Sequence, residues 1–423
     1  MQVPLLTKYL AAKMYLLFNH NVFLLRLPFA LMGIFTSLLI YKILDKEYGM
    51  LWGILGALLF TSSNIIYSST RMVMLEPLMH LSWVTFLYLY YSALNKNHNK
   101  LFLYSGIFLG LSLASKITSI ILIPFSLIFI PYLVKKHKIT FRTVINKYLT
   151  MYSIGIGFLI STYIHPFLKI GGRNTLSTVY KSLFNVYLTK SIEGKNHIIN
   201  NKVYTRSPYW TYAYFILIKE GICRSVTYII GLISAFFNKK LFVFYWLTFL
   251  IFSFAFHQLS GVKNVRYVAS FEIPLIVLVI SGFYYVSSKW KPAKIIFILI
   301  TSMFFINHSI YALIQPRTEY NALFVNYLKE ETRDFTSDSK IYLYGSTRSS
   351  RWYKHGKAEG KKMFEISKDL KTHSSEFYQY DYIIIEKEEL QRYGDNLLYK
   401  YVLENTNAYE IFDEYDFYIY KKR

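Results

Sequence analysis

The chain has 423 residues, 53% of them hydrophobic, with 40 Tyr, 34 Phe and a formal net charge of +23. That composition is rich for a soluble protein and ordinary for a polytopic membrane protein. Residues 1–315 hold 30 Lys and Arg but six acids (Asp45, Glu47, Glu76, Glu193, Glu220 and Glu272), whereas 316–423 hold 18 Lys and Arg against 19 acids. The basicity thus belongs to the apolar part, where it reports membrane topology. It excludes nucleic-acid binding, which calls for a basic soluble face. Cys223 is the sole cysteine, so no intrachain disulfide forms.

The first twenty residues have no basic leader and no long apolar run. Pro4 opens a short amphipathic stretch instead. Apolar runs of spanning length then predict about ten membrane helices, near 23–44, 50–67, 74–93, 101–115, 117–134, 149–168, 222–237, 241–257, 268–287 and 293–313. Basic residues mark every second loop: Lys42 and Lys46, "NKNHNK" at 95–100, "KKHKITFR" at 135–142, Lys239 and Lys240, and "KWKPAK" at 289–294. These loops are cytoplasmic by the positive-inside rule. The alternate loops, residues 1–20 and everything after 315 then lie outside. An N-terminus that must cross the membrane with Lys8 and Lys13 is most simply explained by a missing upstream helix.

After 315 the pattern changes. "SKIYLYG" (339–345) and "YDYIIIEKEE" (380–389) read as strands with helical signals between them, and "YEIF" with "DFYIYKK" as a hairpin around Asp413-Glu414. The expected architecture is mostly α: a polytopic membrane domain over 1–315 and a small extracytoplasmic α/β domain over 316–423. The sequon at Asn307-His308-Ser309 sits at the edge of an expected span, where a modifying enzyme reaches it poorly.

Four outer stretches carry candidate chemistry. In "YSSTRMVMLEPLMH" (67–80), Arg71 and Glu76 stand where a short outer loop meets the third span, with Pro77 suited to a first helical turn. An N-terminal helix acid paired with Arg71 is one reading. A functional acid is the other, because acids are scarce here and an ionisable group at a membrane boundary is costly. In "GLSLASKITSIILIPFSL" (110–127), Lys116 breaks an apolar run, as a snorkelling turn residue or as a cation for a lipid phosphate. Gly106 and Gly110 form a G-x-x-x-G pattern that predicts close helix packing. In "FHQLSGVKNVRYVASFEIPLIVL" (256–278), His257, Lys263 and Arg266 oppose the positive-inside trend. They are surface charge or partners of a phosphate, which Arg grips as a fork. In "NKVYTRSPYWTYAYF" (201–215), Ser207, Tyr209 and Trp210 suit an aromatic belt or a sugar site.

The order of these elements resembles the GT-C superfamily of membrane glycosyltransferases, especially the protein O-mannosyltransferase type and the lipid A aminoarabinose transferases. Val3-Pro4-Leu5-Leu6-Thr7-Lys8-Tyr9 is similar to the family's His-Pro-Pro-Leu-x-Lys-Tyr stretch, with Val3 and Leu5 as departures. Arg26, the Arg71-x4-Glu76 spacing, Gly110 through Lys116-Ile117-Thr118, Ser207-Pro208-Tyr209-Trp210, and His257, Arg266-Tyr267 and Pro274 follow in family-like order over 1–315. The family's principal catalytic acid lies upstream of the Pro-Leu-x-Lys stretch, and this chain has no counterpart there.

The resemblance implies transfer of a sugar, of the mannosyltransferase kind, from a polyprenyl-phosphate donor to a protein or lipid-linked glycan acceptor on the outer face of the cell membrane. Glu76 is the candidate catalytic acid, in a supporting role. Lys8, Arg26, Arg71, Lys116, Ser207, Tyr209, Trp210, His257, Lys263 and Arg266 are the candidate substrate-binding residues. A divalent metal is the one cofactor left open. An inactive or fragmentary member of the architecture, or a lipid-linked oligosaccharide transporter or polymerase, are the alternatives.

Overall fold

The computed structural model describes residues 6–18, 22–70, 75–170, 197–199, 202–204, 207–259, 263, 265–314 and five strands between 341 and 422. Chain contacts divide it into two units, 1–192 with 208–312, and 193–207 with 313–423.

The first unit is helical. Its elements are α1 (Leu6–Phe18), α2 (Val22–Tyr48), α3 (Met50–Thr61), α4 (Asn64–Thr70), α5 (Glu76–Lys96), α6 (Asn99–Ser115), a 3₁₀ turn (Ile117–Ile121), α7 (Leu122–Leu127), α8 (Ile130–His137) and α9 (Phe141–Ile170). After the second unit's first strands come α10 (Thr211–Phe236), α11 (Leu241–Leu259), α12 (Val265–Lys289) and α13 (Pro292–Ile314).

Local sequence explains the breaks. Gly49 adopts φ 93° between α2 and α3, a left-handed region open to glycine at no steric cost. Asn97 closes α5 at φ 53° and returns its N–H to the Ala93 carbonyl, the helix ending that Asn supports after Gly. α3 and α4 meet at a 68° bend over Ser62 and Ser63. α10 is interrupted at Gly221, with φ 80° and ψ 166°.

Five stretches of the described residues are long and apolar enough to cross a membrane: Phe23–Tyr48, Thr118–His137, Leu241–Leu259, Tyr267–Lys289 and Pro292–Ile310. The bent α3–α4 pair makes a sixth if it counts as one span. Ten crossings are therefore not shown. The expected spans at 74–93 and 222–237 are helical but carry polar and charged side chains. The one at 101–115 is α6, with 17 residues. α12 is the enclosed helix: 89% of its spanning window is buried, against 22–44% for the other four. The outer helices turn apolar side chains away from the protein, among them Phe23, Leu27, Leu31, Ile34 and Leu38 of α2 and Ile218, Ile222, Val226, Ile229 and Ile233 of α10. Spacing of three to four residues keeps each stripe on one helix face, and lipid is the solvent that suits it.

Close packing runs through glycine. A Cβ on Gly110 would stand 2.7 Å from the Gly155 carbonyl oxygen, and Gly106 lies against the Met151 backbone. The G-x-x-x-G pattern thus seats α6 on α9, as expected of small residues between membrane helices.

The second unit contains an antiparallel pair, β1 (His197–Ile199) with β2 (Lys202–Tyr204), and a five-stranded sheet. The sheet runs β4-β3-β5-β7-β6, from β3 (Ile341–Tyr344), β4 (Met363–Phe364), β5 (Tyr382–Glu386), β6 (Tyr409–Glu414) and β7 (Phe417–Lys422). β3 pairs parallel with β4 and β5, while β7 is antiparallel to β5 and β6. β3 and β5 occupy the stretches expected as strands. The final hairpin turns after Glu414, which faces Phe417. Parallel neighbours require crossover connections; the helices expected there lie outside the described residues.

The glycine contacts make a test. Gly110→Val should destabilise the protein by about 1–3 kcal/mol through overpacking and lower its thermal unfolding midpoint in detergent. Gly157→Ala, on the same helix as Gly155 and with nothing within 4 Å of the new methyl, should not lower the midpoint and should raise it slightly, because alanine favours the helix over glycine.

Candidate functional site

Four stretches that are distant in sequence meet around Lys116. α6 ends there because Lys116 leaves the helix in an extended conformation, φ −156° and ψ 129°. The turn that follows is pinned: the Trp83 indole donates to Ser119 Oγ at 2.7 Å, and Ser119 donates to the Ser112 carbonyl at 2.8 Å. This fixes the lysine side chain inside the protein, where the residue is 8% exposed. A snorkelling role is ruled out by that burial. Its ammonium donates to Glu76 Oε1 at 2.9 Å and lies 4.6 Å from the centre of the Tyr267 ring. Glu76, in the first turn of α5, is 2% exposed. A carboxylate there is favoured by the helix dipole, and Pro77 follows it in the same first turn.

Two imidazoles complete the group. His80 sits one turn beyond Glu76 on the same face of α5, and His257 comes from the last turn of α11. The His257 ring stacks on Tyr267 at 5.1 Å and 10°. Both histidines are at most 1% exposed, and no ring nitrogen of either has a hydrogen-bond partner among the described residues. Buried polar atoms are nearly always satisfied, so four bare ring nitrogens beside a buried cation mark a place prepared for a polar ligand.

A second cation lies between α11 and α12 in the chain. Lys263, 5% exposed, has its ammonium 5.2 Å from the centre of the Tyr209 ring and 5.9 Å from that of Tyr212. Gln258 donates to the Tyr209 carbonyl at 3.1 Å, and the Tyr212 hydroxyl donates to the His257 carbonyl at 3.3 Å. Trp210 is exposed and packs edge-on to Tyr214, as a membrane-boundary aromatic would.

Of the sequence candidates, the structure brings Glu76, Lys116 and His257 together and sets Lys263 and Tyr209 one contact away. Arg26 lies half-buried on α2. Ser207 is buried and belongs to the second unit. Arg71 and the side chains of Lys8 and Arg266 lie outside the described residues. Arg71, considered from sequence as a partner of Glu76, is not among the described residues; within them Glu76 pairs with Lys116. His80 is a partner that sequence reasoning did not single out, and Tyr267 entered it only within the Arg266-Tyr267 motif of the resemblance, with no role of its own. The i,i+4 spacing of Glu76 and His80 was the signal for the first. Among the described residues no three His, Cys, Asp or Glu side chains come together as a metal-binding group.

A family profile described as dolichyl-phosphate-mannose-protein mannosyltransferase matches residues 2–164. The structure is similar to that of ArnT from Cupriavidus metallidurans bound to undecaprenyl phosphate, with a TM-score of 0.62 at 9% identity, over 99% of this chain and 87% of that one. The chain has a GT-C fold. A second GT-C neighbour is the archaeal oligosaccharyltransferase AglB from Archaeoglobus fulgidus, in complex with an inhibitory peptide and a dolichol-phosphate. It gives a TM-score of 0.52 at 12% identity, over 99% of this chain and 66% of AglB. No curated protein sequence matches the chain.

The ion pair yields a stability test. Glu76→Ala leaves a buried ammonium without its carboxylate, which costs about 3–5 kcal/mol, and should lower the unfolding midpoint sharply. The double variant Glu76→Gln with Lys116→Met removes both charges and should recover most of that loss.

Proposed function

We propose that this protein transfers a sugar from a polyprenyl-phosphate donor to a protein or lipid-linked glycan acceptor on the outer face of the cell membrane. The observation that carries the reading is Lys116, a buried ammonium held between a carboxylate and an aromatic ring with two bare imidazoles beside it. The mannosyltransferase profile over the N-terminal membrane helices supports it, and so does the fold in common with proteins solved with undecaprenyl phosphate and dolichol-phosphate.

The chemistry is a displacement at the anomeric carbon. The acceptor hydroxyl attacks C1 of the sugar, the C1–O bond to phosphate breaks, and a carboxylate takes the hydroxyl proton. Negative charge then collects on the leaving polyprenyl phosphate. A cation fixed in a dry site stabilises such charge far better than one in water. Lys116 has that role, with the His80 and His257 ring nitrogens as neutral donors and Lys263 as a second cation toward the phosphate. Arg71 and Arg266 are further phosphate partners, and Lys8 and Arg26 further donor contacts. Glu76 is the supporting acid: paired at 2.9 Å with Lys116, it orients the cation. The exposed rings of Tyr209 and Trp210 are the sugar or acceptor side. In this reading the chain crosses the membrane about ten times, 1–315 forms the membrane domain, and 316–423 forms an α/β domain on the outer side.

The test is transfer of labelled sugar from a polyprenyl-phosphate donor by membranes that hold the full chain. The charge-free double variant Glu76→Gln with Lys116→Met should fold, yet lose transfer by ~10²-fold or more, the scale of removing one electrostatic stabiliser from a transition state. Transfer at the wild-type rate by that variant would remove Lys116 from the site. Movement of the lipid-linked sugar across the membrane without transfer would favour a transporter.

A further inference from the structure

A second buried polar cluster lies where the two broken helices meet. Glu220 precedes the Gly221 break of α10, and Ser63 sits in the bend between α3 and α4. Glu272 comes from the enclosed helix α12. Ser63 and Glu272 are fully buried and Glu220 is nearly so. Ser63 Oγ lies 3.1 Å from Glu220 Oε1 and 3.0 Å from Glu272 Oε2, and it accepts the Ile66 N–H at 3.0 Å.

The hydrogens around this oxygen can be counted. A serine hydroxyl has one proton, yet two carboxylate oxygens stand within hydrogen-bond distance of it. One contact is donated by Ser63. The other needs a proton on a carboxyl group. Glu220 has compensation for its charge: Arg224 Nη1 lies 3.1 Å from Oε2, and Oε1 accepts the Ile65 N–H at 2.8 Å. Glu272 has no cation of its own among the described residues. Its Oε1 accepts from the Tyr228 hydroxyl at 2.7 Å, which in turn accepts from Arg224 Nε at 2.9 Å.

Among the described residues the rest of the surroundings supply no second positive charge. Arg224 is otherwise spent on the Ser62 carbonyl at 2.6 Å and on the Leu59 carbonyl, and it lies 5.5 Å from the Phe304 ring centre of α13. The His308 ring, also from α13, is turned to Asn64 Oδ1 at 2.9 Å. Lys219 meets Asn64 through its backbone carbonyl, and its side chain is exposed. Two carboxylates against one guanidinium would leave an uncompensated buried charge, which costs several kcal/mol per ion.

We propose that Glu272 is a proton-binding site: a neutral carboxylic acid that donates to Ser63, which donates to Glu220, so that one bound proton clasps α4, α10 and α12 together. The clasp bears on the candidate site through two elements. α4 leads toward Glu76, and Tyr267 stands on α12 about 7.5 Å along the axis from Glu272. The inference does not depend on what reaction that site performs.

The experiment is infrared spectroscopy of the full chain in detergent across pH, with thermal unfolding in parallel. The wild type should show the carbonyl band of a protonated carboxyl group at neutral pH, and Glu272→Gln should abolish it. The Gln amide donates where the acid did, so this variant should match the wild-type midpoint at acid pH. An acid held protonated by the fold adds stability that is complete below the ordinary carboxylate range and is lost as pH rises from there through the pH at which the folded group ionises. The wild-type midpoint should therefore fall as pH is raised from the carboxylate range to the alkaline side, and that of Glu272→Gln should not. Glu220→Gln frees Arg224 to compensate Glu272, so the band should vanish there too. A band that survives Glu272→Gln, or an alkaline decline that it shares with the wild type, overturns the proposal. A wild-type midpoint that follows sodium or potassium concentration instead of pH would assign the site to a metal cation and overturn it as well.

Discussion

The membrane unit is organised by the need to partner charge where water does not reach. Lys116 is the clearest case. An ammonium in apolar surroundings is tolerated when a carboxylate and hydrogen bonds repay its desolvation, and Glu76 repays it across 40 residues of chain. This ties the first turn of α5 to the end of α6. The Tyr267 ring brings α12 to the same point, and its stack with His257 brings α11. One ion pair thus fixes the mutual position of four helix ends, and the preorganised electrostatics proposed for phosphate follow from that fixation.

α12 carries the consequences inward. Its spanning window is buried on nearly every side, so it has no lipid face with which to accommodate a polar residue. It nevertheless holds Glu272, one of six acids in the first 315 residues. The cost is met by Ser63, Tyr228 and, through Tyr228, Arg224. Both helix breaks of the region supply groups to this cluster. The bend at Ser62–Ser63 turns the Ser62 and Leu59 carbonyls toward the guanidinium, and the Gly221 break separates Glu220 from the continuous part of α10. The breaks and the buried charges therefore explain each other: each supplies what the other lacks.

Much of this was legible in the residues. The helices follow from apolar runs bounded by Gly49, Asn97 and the basic turns. Lys116 stood out because it interrupts such a run, and Glu76 because acids are scarce and a proline follows it. The same scarcity applies to Glu220 and Glu272, which the sequence reading counted without singling out, and their meeting depends on packing between positions 52 residues apart. The contacts of His80 and Tyr267 were harder to see. Tyr267 stood in a quoted motif, but a tyrosine among 40 carries no signal of its role, and a histidine in an apolar helix is most often core. The burial of Lys116 was likewise a tertiary fact, since a lysine at a hairpin turn reads equally well as a surface residue. The number of crossings diverged because hydropathy over a fixed length treats α5, α6 and α10 as too short or too polar, although they are helices packed within the same unit.

Between Arg26 and Lys42, α2 has 15 residues without a charged side chain, while the segment Leu241–Leu259 has 19 residues. At 1.5 Å per residue these are about 22 Å and about 28 Å long. A hydrocarbon layer of about 30 Å matches the second and exceeds the first. The bilayer must therefore thin beside α2, or Arg26 and Lys42 must reach back to the interfaces along their apolar stems. Membrane thickness, set by acyl-chain length and sterol content, then acts as a mechanical load on α2. That load reaches α3 and the Ser63 bend through the single residue that joins them, Gly49.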